Sequence, residues 1–258
     1  MLTTLIWLIH PATLGVLEKT SGTWINVATV LIGSGLGIVL KGNLPTRMQR
    51  VITQALGLLT LFLGVTMAGS LLKVKISIFE GVIIGLIAIV LGGLLGEWWR
   101  IEARLHAIGN WLKHRFQGSG SFTEGFVAAS LLFCIGPMAM IGSLNNGVSG
   151  DNTLLSIKSA MDGLASIALG SSYGIGVAFS ILPIVVYQGG LSIAAGVLAQ
   201  IIADPATNPS VLLTSGVGGL IVMGLGLNLL EVAELSIAAF LPGLLLVPFL
   251  CAIIERLT

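Results

Sequence analysis

Charge is what this chain most lacks. Only 9% of its 258 residues are Asp, Glu, Lys or Arg, against roughly a quarter in soluble proteins. The net charge of +1 leaves no basic stripe, so nucleic acid is not an expected partner. Cysteine is nearly absent as well. Cys134 and Cys251 both fall in apolar segments, with no CxxC or Cys/His spacing around them. No metal site and no cofactor is therefore expected. The pair reads as small apolar packing residues, with a disulfide open only if their helices meet. His10, His106 and His114 lie outside the main apolar spans, which removes the usual general base from any nucleophilic arrangement inside them. No GxxxxGK[ST] string exists, so ATP drive within this chain is not expected. The GxGD context of intramembrane aspartyl proteases is also missing, since Asp151 follows Val-Ser-Gly in a polar loop. These absences together predict a protein that is not an enzyme.

What is present is apolar: 55% of the residues are hydrophobic and the mean hydropathy is +1.03. A single soluble domain could not hide that much apolar surface, so the lipid bilayer is the first expected partner. Apolar spans are read at residues 24–40, 51–70, 78–96, 122–144, 157–179, 182–202, 211–230 and 237–254. The sixth begins near Pro183 and carries Tyr187, Gln188, Gly189 and Gly190. It either crosses or re-enters, so seven or eight crossings are expected. The fold class is all-α, a polytopic bundle of transmembrane helices. Residues 1–21 read as an N-terminal extension, with Trp7 at headgroup level, and 22–258 as one transmembrane domain. Small residues four apart, as in Gly33/Gly37, Gly81/Gly85 and Gly92/Gly96, predict close helix approach, within the chain or in a homo-oligomer.

Lys41, Arg47 and Arg50 stand in one short loop and Arg100, Arg104, Lys113 and Arg115 in another. The positive-inside rule places both in the cytoplasm and the N-terminus outside. Residues 97–121 contain an amphipathic helix, with Trp98, Ile101, Leu105, Ile108 and Leu112 on one side. It either lies in the headgroup plane or caps the bundle. Residues 28–38 (ATVLIGSGLGI) and 165–175 (ASIALGSSYGI) resemble each other, as do KISI at 75–78 and ELSI at 234–237. They suggest two three-helix units within halves 22–121 and 122–258.

The stretch 126–162 gathers the chemistry. An apolar helix meets Pro137, runs to an Asn145-Asn146-Gly147 turn, and continues into a segment carrying Asp162. A charge in hydrocarbon costs roughly 2.5–3.5 kcal/mol, so Asp162 should find a partner or line a pathway. Lys158 lies one helical turn before it and can be that partner in an interfacial ion pair. Alternatively Asp162 is a carboxylate that couples transport to H⁺ or Na⁺. Pro137 breaks a helix and frees backbone groups for binding. Asn26, Asn145, Asn146, Ser171, Tyr173 and Gln188 are the polar residues expected to shape a site for a small solute or ion.

The strings WINVATVLIGSGLGIVL, QALGLLTLFLGVTMA, GEWWRIEARLHAIGNWL, FTEGFVAASLLFCIGPMAMIGSLNNGVSGD and YQGG resemble the bacterial YqgA/YdfK-type integral membrane family, domain of unknown function 554. The likeness runs from Gly22 to the end, and residues 1–21 depart from it. It implies an inner-membrane, multi-pass protein that acts as a transporter. It brings no substrate and no catalytic residue. The leading expectation is a secondary transporter of a small polar or ionic solute, coupled to H⁺ or Na⁺. The alternative is a membrane scaffold or sensor that moves nothing.

Overall fold

The computed structural model describes residues 15–41, 45–118, 120–201 and 208–257. Most of the expected N-terminal extension, including Trp7, lies outside the described residues. Among these the chain is almost wholly helical. In order come α1 (Val16–Lys19), α2 (Ser21–Lys41), α3 (Thr46–Ala68), a small hairpin of β1 (Lys75–Ile76) and β2 (Phe79–Glu80), α4 (Gly81–Trp98) and α5 (Ile101–Arg115). Then follow α6 (Phe122–Cys134), α7 (Pro137–Ser149), α8 (Thr153–Tyr173), α9 (Ile181–Ile184), α10 (Gly190–Ile201), α11 (Pro209–Leu229) and α12 (Leu241–Leu257). Six helical segments among the described residues are long and apolar enough to cross a bilayer, and α6 with α7 makes a seventh if that bent pair is one span. Their outward faces are dominated by apolar side chains: Leu58, Phe62, Leu86, Leu94, Leu245 and Phe249 are all exposed. In water such a surface would drive aggregation; in lipid it is solvated.

Glycine contacts fix the direction of each pass. Along α2, Gly22 meets Leu155, Gly33 meets Gly163 and Gly37 meets Gly170 of α8, so α2 and α8 run parallel. Between α3 and α11, Gly57 meets Gly226 while Gly64 meets Gly219, so these two are antiparallel. Gly96 meets Ala239 and Gly92 meets Gly243, which makes α4 and α12 antiparallel. These directions require one pass through α6–α7 and another through residues 175–201. Counting α8, which is not among the apolar segments but runs alongside α2 over its length, the passes are α2, α3, α4, α6–α7, α8, 175–201, α11 and α12, eight among the described residues. The sixth expected span therefore crosses. The glycine stripes at Gly33/Gly37 and Gly92/Gly96 are taken up inside the chain, and Gly35 faces open space.

The similar strings at 28–38 and 165–175 lie side by side in α2 and α8, running the same way. The helices opened by KISI and ELSI run in opposite directions, so one rotation cannot relate both pairs. A different relation is visible. Gly57, Leu61, Gly64 and Ala68 of α3 contact Gly226, Met223, Gly219 and Leu230 of α11 in pairs that interchange. Gly57 touches Leu230 as Gly219 touches Ala68, and Gly226 touches Leu61 as Gly64 touches Met223. The equivalent positions are 162 residues apart, the same separation as Asn26 and Gln188, which hydrogen-bond to each other. A local two-fold axis lying across the bundle, with inverted direction, describes this.

Polar contacts sort the loops onto two faces. Arg50 at the start of α3 pairs with Glu231 just after α11. Glu102 of α5 accepts the Ala238 N–H just before α12 at 2.7 Å, and Asn110 accepts the Thr123 hydroxyl at the start of α6 at 2.7 Å. Arg47, Arg50, Arg100, Arg104, Lys113 and Arg115 thus share one face, the basic face. There α5 caps the bundle, with Leu112 buried and Ile101 and Leu105 half-buried, while Trp98, Ile108 and Trp111 stay exposed. Its expected apolar side is therefore divided between protein and the exterior.

Candidate functional site

Two backbone irregularities meet deep in the bundle, and a third ends α8 toward the basic face. Residues 122–144, expected as one span, break at Ile135–Gly136, where α6 and α7 meet at 61°. Pro137 has no N–H to donate, so it starts α7 rather than continuing α6. α8 ends at Gly174, whose φ of 83° needs glycine. The segment expected to run on to Phe179 therefore stops at Tyr173. Residues Val185–Gly189 then form a π-helical turn, a feature frequent at functional sites.

Asp162 sits midway along α8, because this helix begins at Thr153 rather than near 157. It is not at the membrane margin. Asp162 and Lys158 are both buried and form an ion pair. The same Asp162 Oδ2 accepts Asn26 Nδ2 at 2.9 Å, and Asn26 Nδ2 also donates to Gln188 Oε1 at 3.2 Å. α2, α8 and the π turn thus each bring one element of a buried cluster. The cluster is charge-neutral only while Lys158 stays. Cys134 stands on the last turn of α6, just before the helix break. The last carbonyls of α6 and the first amides of α7 have no intrahelical partners. A small cavity of about 20 Å³ borders Gly136, Tyr187 and Ser215 there, room for about one water.

Two cavities open on the basic face. One of about 200 Å³ is lined by Glu102, His106, Glu124, Leu131, Tyr173 and Asn228. Another of about 300 Å³ contains Arg50, Gln54, Ser121 and Glu231, and shares Tyr173 and Leu229 with the first. The first cavity and the small one follow one another along the same two stretches of chain, from Leu131 of α6 to Gly136 at the break and from Leu225 to Gly218 on α11. Toward the opposite face a further cavity of about 290 Å³ is lined by Thr20, Thr23, Trp24, Val185, Gly189 and Ile193, and hydrogen bonds tie the helix ends together. Asn146 accepts the Gly22 N–H at 2.9 Å and donates to the Glu18 carbonyl at 3.0 Å and Ser21 Oγ at 3.1 Å. Ser70 donates to the Leu212 carbonyl at 2.7 Å.

Of the expected site residues, the fold brings together Asn26, Asp162 and Gln188. Asn146 ties helix ends together at the opposite face. Asn145 lies beside it, half-buried, its carbonyl accepting Ser149 Oγ at 2.9 Å. The Asn-Asn-Gly stretch is not a turn: α7 runs through it, and the turn comes at Gly150, the residue with φ of 74°. Ser171 is spent on the Ala168 carbonyl at 2.8 Å, and Tyr173 lines the basic-face cavities. Asp151 accepts the Thr153 N–H at 3.0 Å. Its hydrogen bonds to Thr153, side chain and then backbone, hold it below the usual carboxylate range. It serves the start of α8. Both cysteines are free.

Sequence reasoning left Lys158 at the interface and so outside the site. It also missed a set of buried side-chain atoms without a protein hydrogen-bond partner, among them Gln188 Nε2, Asn26 Oδ1, Thr23 Oγ1, Ser143 Oγ and Ser192 Oγ. Thr23 is one turn from Asn26, and Ser192 one turn from Gln188. Native proteins rarely leave such atoms unsatisfied. The signal for them was the spacing of small hydroxyls along apolar helices.

The profile of the family described as "Protein of unknown function (DUF554)" matches residues 21–252. The chain is 29% identical over 234 residues to "Uncharacterized membrane protein YdfK" of Bacillus subtilis (strain 168), covering 91% of this chain and 96% of that protein. It is 31% identical over 232 residues to "Uncharacterized protein YqgA" of Escherichia coli (strain K12), covering 87% of this chain and 93% of that protein. No solved structure matches.

Proposed function

From the premise that the chain belongs to the DUF554 family of membrane proteins, we propose that it is a secondary transporter of a small polar or ionic solute, driven by a gradient of H⁺ or Na⁺. It moves a solute and converts none. The reading rests on one observation above the others: a buried Lys158–Asp162 pair at the meeting point of a broken helix and a π turn. Ionisable groups held in a bilayer interior cost free energy and mark ion or substrate pathways. Discontinuous helices supply the backbone groups that bind there.

The surrounding geometry supports the same reading. Cavities open on the basic face beside Tyr173, which stands on the helix that carries Asp162. The interchanging contacts of α3 and α11 are the kind of inverted relation on which alternating access is built in known transporter folds. The basic face lies in the cytoplasm by the positive-inside rule, and the membrane is the bacterial inner membrane. Purified protein in proteoliposomes, offered a solute panel with and without a pH or Na⁺ gradient, tests this. Gradient-dependent uptake lost in Asp162→Asn supports it. Absence of flux for every solute and gradient overturns it.

A further inference from the structure

Lys158 occupies a place that the cluster offers to a free cation. Its ammonium group sits against Asp162 Oδ2, which also takes the Asn26 amide at 2.9 Å. Asn26 Oδ1 has no hydrogen-bond partner and no exposure, and Gln188 Nε2 is equally buried and unpartnered. A pair kept only for stability would not leave two amides half-satisfied in so costly a place. Lys158 and Asp162 both stand on α8, one turn apart, so exchange of the lysine for another cation asks for a turn of its side chain rather than a shift between helices. The carboxylate cannot follow, because Asn26 holds it.

We infer that Asn26, Asp162 and Gln188 form a binding site for a monovalent cation of ammonium size, namely ammonium, a short primary alkylammonium or potassium, and that Lys158 is its built-in occupant in this state. Binding of the external cation displaces the lysine, and departure of the cation brings the lysine back. The Asp162 negative charge is balanced at both stages. This rests on the transporter reading for its physiological meaning, and not for its chemistry: the site binds whether or not anything is carried.

The test is thermal unfolding of the purified full-length protein in detergent, in chloride salts of ammonium, methylammonium, potassium, sodium and tetramethylammonium. Wild type, Lys158→Ala and Lys158→Gln are compared. The glutamine keeps most of the stem's bulk, so a fold lost to the cavity left by alanine does not decide the matter. With the lysine gone, ammonium, methylammonium and potassium raise Tm by about 3–5 °C at ten times the dissociation constant. Tetramethylammonium does not, wild type shows no comparable rise, and adding Asp162→Asn to either variant abolishes the response. No response in either lysine variant overturns the site. So does a response that survives Asp162→Asn, or one of equal size in wild type. A positive result beside a failed flux experiment would leave the site standing and sink the transporter reading; the reverse pattern would do the opposite.

Discussion

Removing either member of the Lys158–Asp162 pair should cost far more than removing both. Lys158→Met leaves a buried carboxylate with only the Asn26 amide to hold it. Asp162→Leu leaves a buried ammonium with no acidic partner and strands Asn26 Nδ2, which then keeps only Gln188 Oε1. Each single change is expected to destabilise by about 3–5 kcal/mol, the range for an uncompensated buried charge. The double variant removes both charges. What persists is the weakened hydrogen bonding of Asn26, worth roughly 1–3 kcal/mol. Independent sites would instead give the sum of the singles, roughly 6–10 kcal/mol. The assay is reversible unfolding of the four proteins in mixed micelles, followed by circular dichroism. A double variant as unstable as the two singles added, within about 0.5 kcal/mol, would refute the idea that these residues act as one buried pair.

Three further outcomes follow from the packing. In the GSGLG string, a Cβ at Gly33 would sit 2.2 Å from the Gly163 carbonyl oxygen, whereas one at Gly35 meets nothing within 4 Å. Gly33→Ala should therefore cost about 1–3 kcal/mol and Gly35→Ala almost nothing, as read by denaturant titration; equal effects would contradict the α2–α8 contact. Gly150→Ala, at a φ of 74°, should cost roughly 1–2 kcal/mol in the same assay. For topology, single cysteines at Gln117 and Glu234, in a background without Cys134 and Cys251, should react alike with a membrane-impermeant maleimide in intact cells. Cysteines at Lys75 and Asp151 should show the opposite accessibility. A split within either pair would rule out eight passes.

Much of this fold was legible in the sequence because lipid leaves the chain few choices. Without water to bond the backbone, apolar segments of about 20 residues must be helices, and the membrane class and helical bundle follow from composition. The small-residue spacing at Gly33/Gly37 announced close packing, and the α2–α8 contact fulfils it. The site was read in part. Asp162, Asn26 and Gln188 stand out as polar atoms in apolar segments, and they do converge. Asn145, Asn146, Ser171 and Tyr173 stood out equally, yet sit toward one face or the other. Residue type alone carries no depth. Lys158 was misplaced because α8 begins a full turn earlier than its hydropathy suggests, once Thr153 and Asp151 start it. The Asn-Asn-Gly string looked like a turn because local preference favours one. Gly147 instead packs against Ser192 within α7, and tertiary contact overrides the preference. Nothing local announced that the break at Pro137 and the π turn at Val185–Gly189 face one another.

The central claim is that this bundle carries a solute through the Asp162 cluster, and flux measures it most directly. Purified wild type and Asp162→Asn, reconstituted at matched density, are offered labelled methylammonium and a wider solute panel under an imposed pH or Na⁺ gradient. Gradient-dependent uptake by wild type, reduced at least about tenfold in Asp162→Asn, is the expected result. Liposomes containing folded wild-type protein that take up no solute under either gradient, or an Asp162→Asn protein that transports as well as wild type, would contradict the account.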